Sequence, residues 1–317
     1  MYYIGVEIGG TKIQAALCRE DGTALRLWRE RVDIAAGAEG ILAWFNRVIP
    51  EVMNACEYGG KPAGIGIGFG GVVEKDTGNI AMSVQVKGWE GVSLRKRFEE
   101  RFGLPVCVEN DTVCAGYAEY RLGSGAGAKN FFYTNIGSGI GGALFIDGKP
   151  ILGQTLGAAY FGHTLAPSWD TPGRPEKIEN LCSGFAIERR LQSAGYVPED
   201  SLIIRFAEGA EIDCRALGKA ADTGDPFALG ELDRIAESFG IGIANILTLF
   251  HPECIVIGGG VSNLGKLIID PIRKYAERYA FTPCSTGFSI LPCSFTEDAV
   301  LIGAAIVASE RIMEAKL

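Results

Sequence analysis

The sequence lacks the features by which proteins bind nucleic acids, enter membranes or are secreted. Lysine and arginine form no cluster and the net charge is −8, so neither nucleic acids nor anionic membranes are expected partners. The most apolar run, residues 241–250, is much shorter than the ~20 residues that span a bilayer. Residues 1–10 contain no basic segment, and Glu7 interrupts their apolar run, which does not fit a secretion signal.

Cysteine patterns that bind metals are also absent. The nine cysteines are scattered singly, no C-x-x-C or C-x-C pair occurs, and the only histidines are His163 and His251. Unpatterned single cysteines are typical of a reduced, cytoplasmic protein. We therefore expect a cytoplasmic location and no cysteine-based zinc site.

The most informative stretch is a glycine-rich turn between two β-prone runs. Residues 131–136 lead into it, residues 143–146 follow it, and Gly137–Gly142 contains four glycines in six residues. Because glycine has no Cβ, successive amides of such a turn can approach an anion. The spacing also fits G-x-G-x-x-G, but a dinucleotide-binding loop opens a helix and a strand follows here. The pattern predicts a phosphate-binding β-hairpin.

A second turn of this kind lies near the N-terminus. Gly9-Gly10-Thr11-Lys12 separates the β-prone residues 3–8 from a second strand at 13–17. Two similar hairpins predict two halves built on one plan, with a polyphosphate between them, although either alone is compatible with an ordinary turn. The length of 317 residues also favours two domains.

Strand and helix patterns alternate along the rest of the chain. The spacing of apolar residues predicts helices at 39–56 and 229–250, the second of them buried from residue 241 onward. A buried strand is predicted at 63–69, a short strand at 105–108, and an irregular surface loop at 153–180. The alternation indicates an α/β protein.

Asn110 and Asp111 follow a predicted strand and open a predicted helix. Sites of α/β proteins lie at this edge of the sheet, and a carboxylate beside a γ-phosphate could accept the proton of a substrate hydroxyl. The alternative is that Asp111 caps the helix.

Other positions also have two interpretations. Glu7 is either a ligand of Mg²⁺ through a water molecule or an inward polar residue at a strand end. Gly258-Gly259-Gly260 either admits an adenine ring or forms a tight turn. For His163 the default interpretation is a structural residue, and for Glu179 it is a solvated charge.

Together these motifs resemble those of the ROK family of bacterial sugar kinases, which have the actin-like ATPase fold. The resemblance extends from Ile4 to Ala305. It is carried by the two glycine turns, by G-I-G with Gly71 at 66–71, by V-E-N-D at 108–111, and by the segments 252–261 and 301–305.

The resemblance implies a two-domain α/β protein of actin-like (ribonuclease H-like) fold, with a cleft between the domains. The smaller domain would comprise residues 1–121 and the C-terminal helix 299–317, and the larger one residues 122–298. The implied activity is ATP-dependent phosphorylation of a hexose hydroxyl, O6, with Asp111 as general base and Mg²⁺ as cofactor. Sugar and nucleotide would be its ligands, and a second copy of the chain its partner in a homodimer.

The resemblance also implies binding residues. The implied sugar contacts are Gly71, Gln85, Glu109, Asn110, Tyr160, His163 and Glu179. The implied nucleotide contacts are Gly9, Gly10, Thr11, Lys12, Gly137, Ser138, Gly139, Gly258, Gly259 and Gly260.

The sequence departs from the family pattern at several positions. Glu7 stands where an aspartate is usual, Gln85 where an asparagine is common, and Tyr160 where the pattern has a carboxylate. The family's zinc-binding cysteines are missing from residues 168–179, so we expect no zinc. Two rival functions remain: a sugar-responsive regulator, disfavoured by the absence of a helix-turn-helix before the first strand, and a sugar-binding relative of low activity.

Overall fold

The computed structural model describes residues 1–56, 60–83, 85–169, 171 and 173–314. The chain divides into two compact units. The first contains Met1–Ala126, Ile151–Ala159 and the chain from Glu297 onward, and the second contains Gly127–Pro150 and Tyr160–Thr296. This division differs from the predicted domain boundaries chiefly at Ile151–Ala159, which lies with the first unit.

The first unit is built on a five-stranded sheet with the strand order β3-β2-β1-β4-β7. Strands β1, β2 and β3 are antiparallel neighbours, whereas β4 and β7 continue the sheet parallel to β1. A short β5–β6 pair lies outside this sheet. The elements are β1 (Tyr2–Ile8), β2 (Lys12–Arg19), β3 (Ala24–Arg31), α1 (Gly37–Asn54), β4 (Ile65–Phe69), β5 (Val72–Val73), β6 (Ile80–Met82), α2 (Leu94–Phe102), β7 (Val106–Asn110) and α3 (Asp111–Leu122).

The second unit repeats this plan in a sheet of order β10-β9-β8-β13-β14, with the same pattern of strand directions. The prediction of two halves built on one plan is therefore confirmed. Its elements are β8 (Phe131–Asn135), β9 (Gly142–Ile146), β10 (Lys149–Pro150), β11 (Leu165–Pro167), β12 (Pro175–Lys177), α4 (Ile178–Cys182), α5 (Gly184–Leu191), α6 (Leu202–Phe206), α7 (Cys214–Asp222), α8 (Pro226–Phe250), β13 (Cys254–Gly258), α9 (Lys266–Tyr279) and β14 (Ser289–Pro292).

The last helix, α10 (Ala299–Glu314), packs on the central strands and on α3 of the first unit. Glycines allow the close approach. A methyl group added at Gly5 or Gly66 would overlap carbonyl groups of α10, and one added at Gly303 would overlap the carbonyl of Cys114 in α3. Backbone thus packs directly on backbone around this helix.

The predicted irregular loop at 153–180 contains more regular structure than expected. A 3-10 helix spans Phe161–His163, strands β11 and β12 pair antiparallel, and α4 begins at Ile178. These elements are only three to five residues long. They are too short for their periodicity to be read from sequence.

The prediction that residues 241–250 are buried is wrong at their end. Leu249 is 72% exposed and Phe250 is 42% exposed, and these are the last two residues of α8, which His251 caps. Apolar composition favours burial, but exposure at a helix end depends on where its packing partners stop.

In the part of the chain that the structure describes, no helix has the length and apolar character needed to cross a membrane.

Candidate active site

Asn110 and Asp111 lie at the junction of β7 and α3. Asn110 is the N-cap: its side-chain oxygen accepts hydrogen bonds from the amides of Thr112 (2.9 Å) and Val113 (3.2 Å). Its side-chain amide donates to the carbonyl of Gly71 over 3.0 Å. The alternative that Asp111 serves as the cap is therefore wrong, because Asp111 is already the first residue of the helix.

The Asp111 carboxylate lies beside the first glycine turn. A methyl group added at Gly70 would be 3.4 Å from Asp111 Oδ2 and 3.6 Å from the Cα of Gly9. The other oxygen, Oδ1, accepts a hydrogen bond from the Thr112 amide over 2.7 Å. Burial of the carboxyl group raises its pKa to about 6, although the Thr112 bond opposes this shift. This position and pKa suit proton transfer near neutral pH.

Glu7, near the end of β1, is also a buried carboxylate of this unit. Its Oε2 accepts a hydrogen bond from Gln14 Nε2 over 2.5 Å and lies 3.4 Å from Lys12 Nζ. Burial raises the pKa of Glu7 to about 7, and the Lys12 charge limits the rise. One carboxylate oxygen is thus fixed by two donors.

Gln14 is a site neighbour that sequence reasoning missed. It is fully buried, and its side-chain oxygen accepts a hydrogen bond from Arg29 Nε over 2.5 Å. Because arginine has no acceptor, this bond fixes the orientation of the amide and directs its nitrogen to Glu7. The hairpin register, which pairs Glu7 with Gln14, was the signal that could have revealed it.

The first glycine turn is closed by a hydrogen bond from the Gly9 amide to the Lys12 carbonyl over 3.0 Å. Lys12 Nζ donates to the carbonyl of Glu297 over 2.7 Å, close to the start of α10. The side chain of Gln85 occupies the space where a Cβ on Gly10 would lie. The structure therefore brings Gln85 to this turn, and Thr11 lies exposed within it.

Glu109 is engaged inside the first unit. Its side chain forms an ion pair with Arg311 of α10, and its other oxygen accepts a hydrogen bond from the Asn110 amide over 2.9 Å. The residue is only 9% exposed. Both carboxylate oxygens of Glu109 are therefore bound within the first unit, one by Arg311 of α10 and the other by the Asn110 amide.

The second glycine turn lies against the glycine-rich end of β13. A methyl group at Gly259, whose φ is +87°, would collide with Ile136 and the Gly137 amide. The amide of Val261 also donates to the Ile136 carbonyl over 3.0 Å. Gly260 is exposed, with open space where a side chain would be.

Tyr160, His163 and Glu179 also belong to the second unit. The rings of Tyr160 and His163 are nearly perpendicular, with centroids 6.3 Å apart. Gly162 packs so closely on Ile140 of the second turn that a Cβ there would overlap its carbonyl. Glu179 Oε2 accepts a hydrogen bond from the Ile140 amide over 2.8 Å. The structure thus brings Glu179 and the His163 segment to one turn.

The described residues contain no group of three or more His, Cys, Asp or Glu side chains arranged to hold a metal ion. Two positions of the segment 168–179, Asp170 and Pro172, lie outside the described residues.

The repeated sheets are those of the actin-like ATPase fold. The ROK family's sequence profile matches residues 3–311. The chain therefore belongs to the ROK family.

Individual relatives are similar over nearly the whole of this chain. A glucokinase of Halalkalibacterium halodurans is 32% identical over 95% of this chain and 93% of its own. A ROK family glucokinase from Streptomyces griseus, solved in complex with glucose and AMPPNP, is 31% identical, has a TM-score of 0.81 and covers 98% of this chain and 100% of its own. A xylose repressor of Caldicellulosiruptor bescii is 26% identical over 98% of this chain, which spans 78% of the repressor. The glucokinases support an ATP-dependent sugar kinase.

Proposed function

We propose that this chain is an ATP-dependent kinase that phosphorylates O6 of a hexose, with Asp111 as the general base. The observation that carries the proposal is the position of the Asp111 carboxylate beside the first glycine turn. A methyl group added at Gly70 would lie within 3.6 Å of both Asp111 Oδ2 and the Cα of Gly9. The kinase class is supported by the full-length similarity to glucokinases.

In the proposed reaction, Asp111 Oδ2 accepts the proton of the sugar hydroxyl while the hydroxyl oxygen bonds to the γ-phosphorus of ATP. The bond between that phosphorus and the β,γ-bridging oxygen breaks, and ADP leaves. The Thr112 amide holds Oδ1 over 2.7 Å, which keeps Oδ2 available. Asn110 fixes the start of the helix and contributes its side-chain amide to the sugar.

The remaining assignments follow the family resemblance. In the first unit we assign Gly9, Gly10, Thr11 and Lys12 to phosphate binding, and Gly71, Gln85 and Glu109 to the sugar side. In the second unit we assign Gly137, Ser138 and Gly139 to phosphate, Gly258-Gly259-Gly260 to adenosine, and Tyr160, His163 and Glu179 to the sugar.

Glu7 is the residue that we assign to Mg²⁺. A carboxylate oxygen suits this ion, which keeps several of its waters and needs few protein ligands. Lys12 and Gln14 bind Oε2, while Oε1 lies 3.8 Å from the place of a Cβ on Gly9. The residues present therefore fit a contact through water. Held there, Mg²⁺ would neutralise part of the phosphate charge.

The alternative is a sugar-responsive regulator, because a xylose repressor shares 26% identity with nearly the whole chain. A coupled assay of ADP release, run with a panel of hexoses and N-acetylhexosamines, separates the two functions. Sugar-dependent ADP release supports the kinase. Sugar binding by calorimetry without any ADP release would instead support the regulator.

The raised pKa of Asp111 predicts an acid limb in the pH profile. A general base acts only when deprotonated, so kcat/KM for the sugar should fall about tenfold per pH unit below about 6. If the base had the ordinary pKa of an aspartate, kcat/KM would stay constant down to about pH 4. The measurement is kcat/KM from pH 5 to 8 at saturating Mg²⁺ and ATP, with Glu7→Gln as the control. If the limb vanishes in Glu7→Gln, Glu7 and not Asp111 sets it.

Tyr160 predicts that glucose is a poor substrate. A phenol offers one polar group and a broad apolar ring where a carboxylate would accept hydrogen bonds from two hydroxyls. Tyr160→Glu should therefore raise kcat/KM for glucose about tenfold, equivalent to one charged hydrogen bond of ~1.5 kcal/mol. Tyr160→Phe is the matched control and should bring no such gain. If the parent protein prefers glucose and Tyr160→Glu lowers kcat/KM for glucose, the idea is contradicted.

A further inference from the structure

The second glycine turn, Gly137–Gly142, depends on acceptors outside itself. The amide of Gly141 donates to the side-chain oxygen of Asn135 over 2.8 Å. The amide of Ile140 donates to Glu179 Oε2, also over 2.8 Å, although Glu179 lies 39 residues further along the chain. Inside the turn, the Gly137 amide donates to the Gly139 carbonyl over 3.1 Å. The conformation of this turn is therefore fixed partly by side chains.

The segment around Glu179 approaches the turn closely at two points. Gly184, the first residue of α5, donates its amide to the carbonyl of Gly137 over 2.7 Å, and a methyl group at Gly184 would lie 3.1 Å from that oxygen. A methyl group at Gly139 would lie 2.8 Å from Glu179 Oε2. Glycine at 139 and 184 thus leaves room for the carboxylate and for α5 against the turn.

We propose that Glu179 is a positioning residue for the second glycine turn. By accepting the Ile140 amide, its carboxylate holds the preceding amides of Ser138 and Gly139 in the arrangement that receives the nucleotide phosphates. This inference rests on the proposed function, which assigns the turn to ATP. The role uses Oε2 of Glu179 and adds a nucleotide-side function to the sugar contact that the proposed function assigns to this residue.

The acceptor oxygen, and not the negative charge, carries this role. Ile140 is only 4% exposed, and a buried amide without an acceptor is costly, so the turn rearranges when Glu179 is removed. The charge itself works against a bound phosphate, because like charges repel. Glutamine keeps an acceptor without the charge, whereas alanine has neither.

The test is isothermal titration calorimetry with ADP and Mg²⁺ in the absence of sugar. For Glu179→Ala the dissociation constant of ADP should rise on the order of tenfold, as expected for the loss of one hydrogen bond. Glu179→Gln should bind ADP at least as tightly as the parent. The matched control is Glu176→Ala, since Glu176 lies on the same segment and accepts hydrogen bonds from Lys177 and Asn180. It should leave ADP affinity unchanged.

Hydrogen–deuterium exchange gives a second readout that needs no ligand. Peptides covering residues 137–142 should exchange faster in Glu179→Ala than in the parent or in Glu179→Gln. Should Glu179→Ala fail to fold, Glu179→Met fills similar space without a strong acceptor and repeats both measurements.

The outcomes separate this inference from the proposed function. A parent protein that neither binds ADP in the titration nor releases ADP with any sugar of the panel overturns the proposed function itself. If the parent binds ADP and Glu179→Ala matches it within twofold in affinity and in exchange, the positioning role is overturned. Equal losses in Glu179→Gln and Glu179→Ala would assign the effect to the charge, which also overturns it.

Discussion

Asp111→Asn should lower kcat by a factor on the order of 10²–10⁴, because a neutral amide cannot take the proton of the sugar hydroxyl. The substitution keeps the shape of the side chain. Its remaining oxygen can still accept the Thr112 amide, which Oδ1 accepts over 2.7 Å. Sugar binding should therefore be largely kept, and the loss should appear in kcat rather than in KM. The measurement is steady-state kinetics with the best sugar of the panel.

A matched control for this substitution is Asp21→Asn. The Asp21 carboxylate also accepts a nearby backbone amide, that of Thr23, over 2.9 Å, but it lies on the surface. Asp21→Asn should turn over like the parent. If Asp111→Asn retains activity within a few-fold of the parent, Asp111 is not the base.

Gly303→Ala should lower the free energy of unfolding of the first unit by about 3 kcal/mol or more. A methyl group at residue 303 would overlap the backbone carbonyl of Cys114 in α3, and a backbone carbonyl cannot rotate away as a flexible side chain can. Overpacking of a core commonly costs 1–3 kcal/mol, and separating two helices costs more. Since Gly303 lies in α10, the change would push that helix away from α3.

Urea unfolding followed by tryptophan fluorescence suits this test, because Trp28, Trp44 and Trp89 all lie in the first unit. The matched control is Gly230→Ala, which makes the same change within α8, where a methyl group meets nothing within 4 Å. It should be neutral or stabilise the protein by up to about 1 kcal/mol, because alanine favours the helix. Equal unfolding midpoints for Gly303→Ala and the parent would contradict the packing argument.

Local sequence patterns determined the strands, the two glycine turns and their repetition. The turn Gly137–Gly142 was recognisable because β-prone runs flank it, and the same pattern at Gly9-Gly10-Thr11-Lys12 predicted the repeat. The shared strand order of the two sheets bears this out. These predictions succeed because alternation, turn propensity and glycine spacing act over a few neighbouring residues.

The contacts around the carboxylates were decided only by the tertiary structure. Glu109 pairs with Arg311, 202 residues away, and Lys12 and Gln14 both donate to the Glu297 carbonyl at the approach to α10. No local pattern specifies such partners, because they depend on how α10 packs against the first sheet. The helix cap at Asn110 instead of Asp111 likewise depends on where α3 begins. Sequence thus determined which elements form and which residues could act. Packing between distant segments decided which side chains meet and how burial raises the pKa values of Glu7 and Asp111.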